Sequence, residues 1–113
     1  MAKEVTDIER LKEYVDGVVG RADHHARWVN EIALALVGAI VWKKDETPLK
    51  VLDRDGEMKN VLWVSINSVK YVFSYSRDRR AIDMREGTTR GRLVHSFSNS
   101  TSLADIRRVF EAL

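Results

Sequence analysis

The side chains best suited to proton transfer or metal binding are three histidines and one glutamate. His24 and His25 are adjacent, Glu31 follows seven residues after His24, and His95 lies much further along the chain. Imidazoles and carboxylates are common metal ligands, acids and bases. A two-histidine site on a helix needs ligands three or four residues apart, because adjacent side chains diverge by about 100°. The spacing therefore favours no metal site. We expect His24 in solvent and His25 beside the core, bonded to a backbone group.

Glu31 enters an otherwise apolar stretch, where burial could make its carboxyl an acid or base. A carboxylate at such a position more often lies at the rim and pairs with a lysine or arginine. If the alternation of strand side chains holds, His95 shares the side of Leu93 and Phe97 and could meet His25 beneath the helices. The sequence thus gives one candidate pocket between helix and sheet, formed by His25, Glu31 and His95, and assigns no catalytic residue.

Residues 77–92 hold six arginines against three acidic side chains. Basic groups beside a sheet that carries aromatic side chains can bind single-stranded nucleic acid through phosphate contacts and base stacking. The aromatic residues at 71, 73 and 75 alternate in phase, however, which is typical of the core face of a strand. A solvated loop with ion pairs is the favoured alternative, and nucleic acid is possible but not favoured. The candidate anionic-ligand patch consists of Arg77, Arg79, Arg80, Arg90 and Arg92.

Several classes of site lack their characteristic residues. The sequence has no cysteine, which excludes disulfides, thiolate metal sites and cysteine nucleophiles from these residues. Gly87 and Gly91 lack the spacing of a phosphate-binding loop, and no serine lies in a nucleophile elbow. The net charge of +2 creates no strong field toward nucleic acid or membrane. We expect no metal, no cofactor and no membrane partner.

Length and composition favour one domain over residues 1–113. A chain of 113 residues that is 44% hydrophobic can form one core. The charged N-terminus lacks the apolar run of about 7 to 15 residues found in a signal peptide, so we expect a cytoplasmic protein. The apolar run Ile32–Trp42 is too short for a bilayer span, which needs roughly 20 residues.

Two helices are predicted before any strand. Thr6 and Glu9 form a capping box that begins the first helix, and Gly17 and Gly20 are expected to end it. The second helix is predicted over residues 22–43, with 39–43 as a buried strand being the alternative. Its outer side carries His24, Glu31, Ala35, Gly38 and Trp42. Its core side follows helical spacing: Ala22, Ala26, Val29, Ile32, Ala33, Leu36, Val37 and Ile40.

Alternating apolar and polar residues then predict five short strands and a final helix. Asn67 and Ser68 suit a tight hairpin with positive φ at Asn67, Gly56 lies in a polar turn, and Ser102 is placed to cap the last helix. Short turns join antiparallel strands, because a parallel crossover needs a dozen or more residues. The expected fold is α+β, in the order ααβββββα, with three helices on one face of a meander sheet and the 22–43 helix central. The strands are expected at 49–52, 61–66, 69–76, 82–84 and 93–97.

Two segments also carry a resemblance to a known group of proteins. ADHHARWVNEIALALVGAIVWKKD and KNVLWVSINSVKYVFSYS resemble small bacterial proteins that are carried on mobile gene cassettes of the integron type. The resemblance implies a bacterial and cytoplasmic origin. Cassette proteins share a genetic context and no common chemistry, so it implies no active-site residue.

The surplus of apolar surface favours a non-catalytic binding or interaction module that works as a homo-oligomer, most simply a homodimer. The candidate interface consists of Gly38 and Trp42 on the outer helix stripe, with Val61 and Trp63 on the outer sheet face. The alternative is a small-molecule-binding protein or small enzyme that uses the helix–sheet pocket, with its ligand unidentified. Single-stranded nucleic-acid binding is the third hypothesis.

Overall fold

Six strands lie side by side in the order in which they occur in the chain, each antiparallel to the next. The computed structural model describes residues 2–5, 8–54 and 57–113. Its elements are β1 (Ala2–Val5), α1 (Ile8–His25), α2 (Ile32–Lys43), β2 (Leu49–Arg54), β3 (Glu57–Ile66), β4 (Val69–Ser76), β5 (Ala81–Glu86), β6 (Leu93–Phe97) and α3 (Leu103–Glu111).

This architecture confirms the predicted α+β fold and its antiparallel meander. All five predicted strands are present as β2 to β6. The additional strand β1 pairs with β2, with Val5 opposite Leu49. It was not predicted, because these four residues are too few to show a clear alternation of apolar and polar side chains. The predicted turn at Gly56 and the capping role of Thr6 lie outside the described residues.

The register of the sheet separates a core face from an outer face. Leu62 pairs with Phe73, and Phe73 pairs with Met84, which places these apolar side chains on one face. They form one buried cluster with side chains from all three helices, including Tyr14, Leu36 and Phe110. The helices therefore lie together on this face. The outer face carries polar side chains between partly apolar ones, as in the pairs of Trp63 with Val72 and of Ser74 with Asp83.

The predicted boundary between the first two helices is wrong. Helix α1 continues through Gly17 and Gly20 to His25, and α2 begins only at Ile32. Glycine inside a helix costs about 1 kcal/mol and does not by itself end it. The break at residues 26–31 is fixed by a distant residue: the Asn99 side-chain oxygen accepts the backbone N–H groups of Glu31 and Ile32, at 3.1 and 2.9 Å. These donors would otherwise lack partners at the start of a helix.

The residues predicted for the core side of the second helix still face the core on both sides of the break at residues 26–31. Backbone hydrogen bonds from Ala26 to Ala22 and from Ala33 to Val29 keep the turns close to helical phase across residues 26–31. Helix α2 then runs to Lys43, so the strand alternative for residues 39–43 is wrong. Seven of the eight predicted core-side residues are buried, and Val37 is half-buried: Ala22, Ala26, Val29, Ile32, Ala33, Leu36 and Ile40 are the buried ones.

Two local signals in the sequence are confirmed at residue level. Asn67 and Ser68 have φ of 51° and 67°, as a tight type I′ hairpin requires. The Asp45 carboxylate accepts both of their backbone N–H groups, at 2.9 and 2.8 Å. Ser102 caps α3 by accepting the N–H of Asp105 at 3.0 Å. Hydrogen bonds from Arg108 and Ser102 hold the pKa of the Asp105 carboxyl below its usual range. The ionised carboxylate therefore stabilises the start of α3 at neutral pH. This stabilisation is lost as the pH falls through the lowered pKa.

Candidate ligand-binding cavity

A cavity of about 580 Å³ lies between the helices and the core face of the sheet. Its walls come from α1, the turn at residues 26–29, α2, and the strands β3 to β5. Three alanines line it where larger residues would have closed the gap between helix and sheet: Ala22, Ala26 and Ala33. Close packing of a protein interior normally leaves few voids larger than a water molecule. These short side chains leave more room between the helices and the sheet than larger apolar residues would.

The inner wall of the cavity is apolar. Leu36 and Ile40 of α2 face Leu62 of β3 and Phe73 of β4, and all four are buried. These side chains offer contact by dispersion and by exclusion of water and offer no polar side-chain group. The wall can hold a hydrocarbon or aromatic body, and it provides no nucleophile or general base.

The rim of the cavity is basic. Arg21 donates two hydrogen bonds to the side-chain oxygen of Asn60, at 2.9 Å from Nε and 2.6 Å from Nη2. The guanidinium carbon of Arg80 lies 4.6 Å from the centre of the Trp28 ring, a cation–π contact. Arg77 is exposed at the same rim and has no ion-pair partner among the described residues. The described lining residues include no aspartate and no glutamate.

Tyr14 provides a polar group inside the cavity. The residue is 7% exposed, and its hydroxyl has no hydrogen-bond partner among the described residues. Burial raises the pKa of the Tyr14 phenol to about 12, although the nearby Arg21 charge partly opposes this shift. The hydroxyl is therefore neutral near pH 7 and can donate a hydrogen bond. A buried polar group without a partner costs about 1–3 kcal/mol, so a ligand atom that accepted this bond would be stabilised.

The predicted pocket of three residues is not assembled by the fold. His25 lies exposed at the cavity rim, with its ring centroid 6.2 Å from that of His24. Glu31 is exposed before α2 and does not line the cavity. The His95 ring contacts the Phe97 ring at a tilt of 53°, with ring centroids 4.7 Å apart, and also lies outside the cavity lining. Of the three residues only His25 lines this cavity, so the contact with His95 that alternation allowed is not formed there.

A bulge also alters the predicted phase of β6. His95 pairs with Met84, but Arg85 pairs with Leu93 because the register shifts between Met84 and Arg85. Leu93 therefore shares the outer face of Arg85, whereas His95 lies on the core face. The expectation that Leu93 and His95 share a side is wrong, because a bulge inserts one residue that alternation cannot anticipate.

The candidate anionic-ligand patch is divided between two ends of the sheet. Arg77, Arg79 and Arg80 occupy the β4–β5 turn, whereas Arg90 and Arg92 occupy the β5–β6 turn. The six residues of β5 separate the two turns by about 20 Å. Arg92 pairs with Glu86, and Arg79 pairs with Asp83 at 2.9 Å. Only the β4–β5 turn contributes to the cavity rim, through Arg77 and Arg80.

Asp83 is a buried carboxylate on the outer face of the sheet. It is 4% exposed, and one of its oxygens accepts a hydrogen bond from Ser96 at 2.7 Å. Its other oxygen lies 2.9 Å from Arg79 Nη1 and 3.5 Å from Arg85 Nη2. Arg85 also donates to the carbonyl of Gly91 at 2.9 Å. This network compensates the buried charge and links β5 to β6 and to both adjoining turns.

The four candidate interface residues lie on two different surfaces. Gly38 and Trp42 lie on the exposed side of α2, where Trp42 is 57% exposed. Val61 and Trp63 lie on the outer face of the sheet and are half-buried. Trp63 pairs there with Val72, which is fully buried. The helix layer and the sheet separate these two surfaces.

Sequence reasoning placed a pocket between helix and sheet and singled out His25, Arg77 and Arg80, but it missed the other residues that line this cavity. Their available signal was the run of alanines on the core side of residues 22–33, where larger apolar side chains would have been expected to fill the core. Tyr14 and Arg21 were not singled out, since neither belongs to a recognisable motif. Among the described residues, no cluster of three or more histidines, aspartates or glutamates could hold a metal ion.

The fold and cavity define a small α+β protein with a meander sheet covered by helices on one face and an apolar cavity between the layers. The chain belongs to the family described as integron cassette protein VCH_CASS1 chain, whose sequence model matches residues 11–107. This finding confirms the resemblance to integron cassette proteins. No curated protein matches the chain significantly. No helix within the described part of the chain is both long and apolar enough to span a membrane.

Proposed function

We propose that this protein binds a small, mainly apolar molecule in the cavity between the helices and the sheet. The observation that carries the proposal is the cavity itself, whose 580 Å³ volume falls in the range of about 300–1,000 Å³ that is usual for small-molecule sites. Its buried apolar wall and exposed basic rim resemble the usual arrangement, in which a few polar groups orient a mainly apolar ligand. Binding without catalysis fits these side chains, because the buried apolar wall offers no acid, base or nucleophile and, among the described residues, the polar lining groups Tyr14, Ser74 and His25 share no hydrogen bond.

A neutral fluorescent probe tests the proposal without assuming the natural ligand. N-phenyl-1-naphthylamine becomes brightly fluorescent in an apolar site and carries no charge at neutral pH. We expect saturable binding to the wild type. Val37→Trp, which places a large ring at a half-buried lining position, should abolish most of this binding because it occupies the cavity.

Val41→Trp is the matched control, since Val41 lies one turn later on α2, is exposed, and does not line the cavity. It should bind the probe as the wild type does. Thermal unfolding verifies that each variant folds, and Val18→Trp, which blocks the cavity from α1, replaces Val37→Trp if that variant unfolds. Absence of saturable binding to the wild type, or equal loss in the Val41 control, would contradict the proposal.

An exposed apolar stripe on α2 favours a second role, self-association. Leu34, Val41 and Trp42 are each about half exposed, Gly38 lies between them, and Leu103 of α3 is 73% exposed. Apolar patches of this kind on small proteins usually mark interaction surfaces. We assign a second copy of this chain as the partner, because an apolar stripe can pack against the same stripe of another copy. Lys43 and Arg107 lie beside Trp42 at its margin, where their charged ends can stay in water. The resulting homodimer would leave the cavity rim open.

Trp42→Glu tests the dimer. A charge buried between two apolar surfaces lacks a partner and is strongly unfavourable. We expect wild-type protein at tens of micromolar to have the mass of a dimer by light scattering and Trp42→Glu to have that of a monomer with unchanged far-ultraviolet circular dichroism.

The same substitution at Trp63 provides the comparison, because Trp63 lies on the outer sheet face with Val61. A monomeric wild type would contradict self-association. A monomer produced by Trp63→Glu but not by Trp42→Glu would instead place the interface on the sheet.

A further inference from the structure

We infer that the ligand of the cavity is an organic acid, whose apolar body fills the cavity and whose carboxylate binds at the rim formed by Arg21, Arg77 and Arg80. This inference rests on the proposed function and specifies the chemical class of the ligand. The rim and the cavity are continuous, because all three arginines line the same cavity as Leu36 and Phe73. One molecule with an apolar part and an anionic end can therefore reach both.

The rim arginines are positively charged and form no ion pair among the described residues. The described lining residues include three arginines and His25 and no acidic side chain. Arg77 and Arg80 have no ion-pair partner among the described residues, and Arg21 bonds to the neutral amide of Asn60. Arginine is charged at all physiological pH values and binds carboxylates through two parallel hydrogen bonds. A bound carboxylate would supply the missing negative charge.

The acidic residues closest in sequence to the rim arginines lie outside the cavity lining. Asp83 is held by Arg79 on the opposite face of the sheet. Asp23 accepts a hydrogen bond from Asn30 at 2.9 Å, and the exposed Asp78 does not line the cavity. Because Asp83 pairs with Arg79, its carboxylate does not pair with Arg77 or Arg80 of the same turn.

Two of the rim arginines are held in position before any ligand binds. The Arg21 guanidinium is fixed by its two hydrogen bonds to Asn60, and the Arg80 guanidinium is stacked on Trp28. Groups that are already ordered lose less conformational entropy on binding. The buried hydroxyl of Tyr14 adds a neutral donor within the cavity, suited to a carboxylate oxygen or a second polar atom of the acid.

Three probes with different end groups test the inference: decanoate, decanol and decyltrimethylammonium. Their alkyl chains differ by at most one CH₂ group, which is worth about fourfold in affinity, so larger differences report on the end group. We expect decanoate to bind at least about tenfold more tightly than decanol, and the cation to bind most weakly, by isothermal titration calorimetry at neutral pH.

Single substitutions then locate the anionic subsite. Arg77→Gln and Arg80→Gln should each lower the affinity for decanoate about tenfold and leave the affinity for decanol unchanged, because only the carboxylate contacts the charge. Arg90→Gln is the matched control, since Arg90 is exposed in the β5–β6 turn and does not line the cavity. It removes the same charge from the protein and should leave both affinities unchanged.

The outcomes separate this inference from the proposed function. If decanol and decanoate bind equally well, the cavity binds apolar molecules and the inference about the acid is wrong. If Arg90→Gln weakens decanoate as much as Arg77→Gln does, general charge accounts for the effect and the subsite is wrong. If none of the three probes and no N-phenyl-1-naphthylamine binds, the proposed function itself fails.

Discussion

Gly91→Ala is expected to lower the free energy of unfolding by about 3 kcal/mol. A Cβ atom at this position would lie 1.8 Å from the carbonyl oxygen of Glu86 and 2.9 Å from its carbonyl carbon. These are backbone atoms, so the clash cannot be relieved by a change of side-chain rotamer. The Glu86 N–H also bonds to Arg92 O at 3.0 Å, which ties the two arms of the turn together. Urea denaturation monitored by circular dichroism measures the loss.

Gly20→Ala is the control for this prediction. Gly20 lies exposed in α1, and an added Cβ would meet nothing within 4 Å. Alanine there should stabilise the protein by about 0.5–1 kcal/mol, because it favours the helical backbone. A loss below roughly 1 kcal/mol for Gly91→Ala would mean that the chain passes through the β5–β6 turn differently.

Asp83→Ala should also be strongly destabilising, by about 3 kcal/mol. The substitution removes the carboxylate that balances Arg79 and Arg85 and leaves the Ser96 hydroxyl without its acceptor. Removing one member of a buried ion pair typically costs about 3–5 kcal/mol, and the lower end applies here because Arg79 can turn toward water. Asp83→Asn should cost less, since it keeps an oxygen that can accept the hydrogen bonds while losing the charge.

Asp78→Ala provides the reference for the loss of an acidic side chain from the same region. Asp78 is exposed in the β4–β5 turn, and its removal should change the free energy of unfolding by no more than about 0.5 kcal/mol. If Asp83→Ala and Asp78→Ala proved equally mild in urea denaturation, the network around Asp83 would contribute nothing to stability.

The sheet was predictable because its determinants are local. Alternation over 61–76 and the two residues of the Asn67–Ser68 turn were enough to place β3 and β4 in register. The Ser102 cap was equally local, because it acts within one turn of α3. The boundary between α1 and α2 was not predictable, because the group that caps α2 is the side chain of Asn99. A long-range contact of this kind leaves no signal in a window of neighbouring residues.

The candidate site was only partly predictable for a similar reason. His25, Arg77 and Arg80 were selected by residue type, and the fold brings all three to one cavity. Glu31 was selected on the same basis but lies outside the cavity, because α2 begins later than predicted. His95 lies on the core face, as alternation predicted, but it belongs to β6, whereas the sheet residues that line the cavity belong to β3, β4, β5 and the β4–β5 turn. The cavity depends on the distance between layers, which is determined by the sum of all packing contacts and by no single motif.

Asn99 joins parts of the chain that are far apart in sequence, which has a consequence for the order of folding. Its side-chain nitrogen donates to the carbonyl of Arg27, 72 positions earlier, and its backbone N–H donates to the carbonyl of Trp28. As the chain leaves the ribosome, the β3–β4 hairpin can form well before Asn99 is synthesised, because contacts of low sequence separation form first. The cavity wall at residues 26–29 therefore acquires its fixed shape late. In the full chain, Asn99→Ala is expected to keep the sheet and to weaken ligand binding, which retained β-sheet circular dichroism with reduced uptake of N-phenyl-1-naphthylamine would demonstrate.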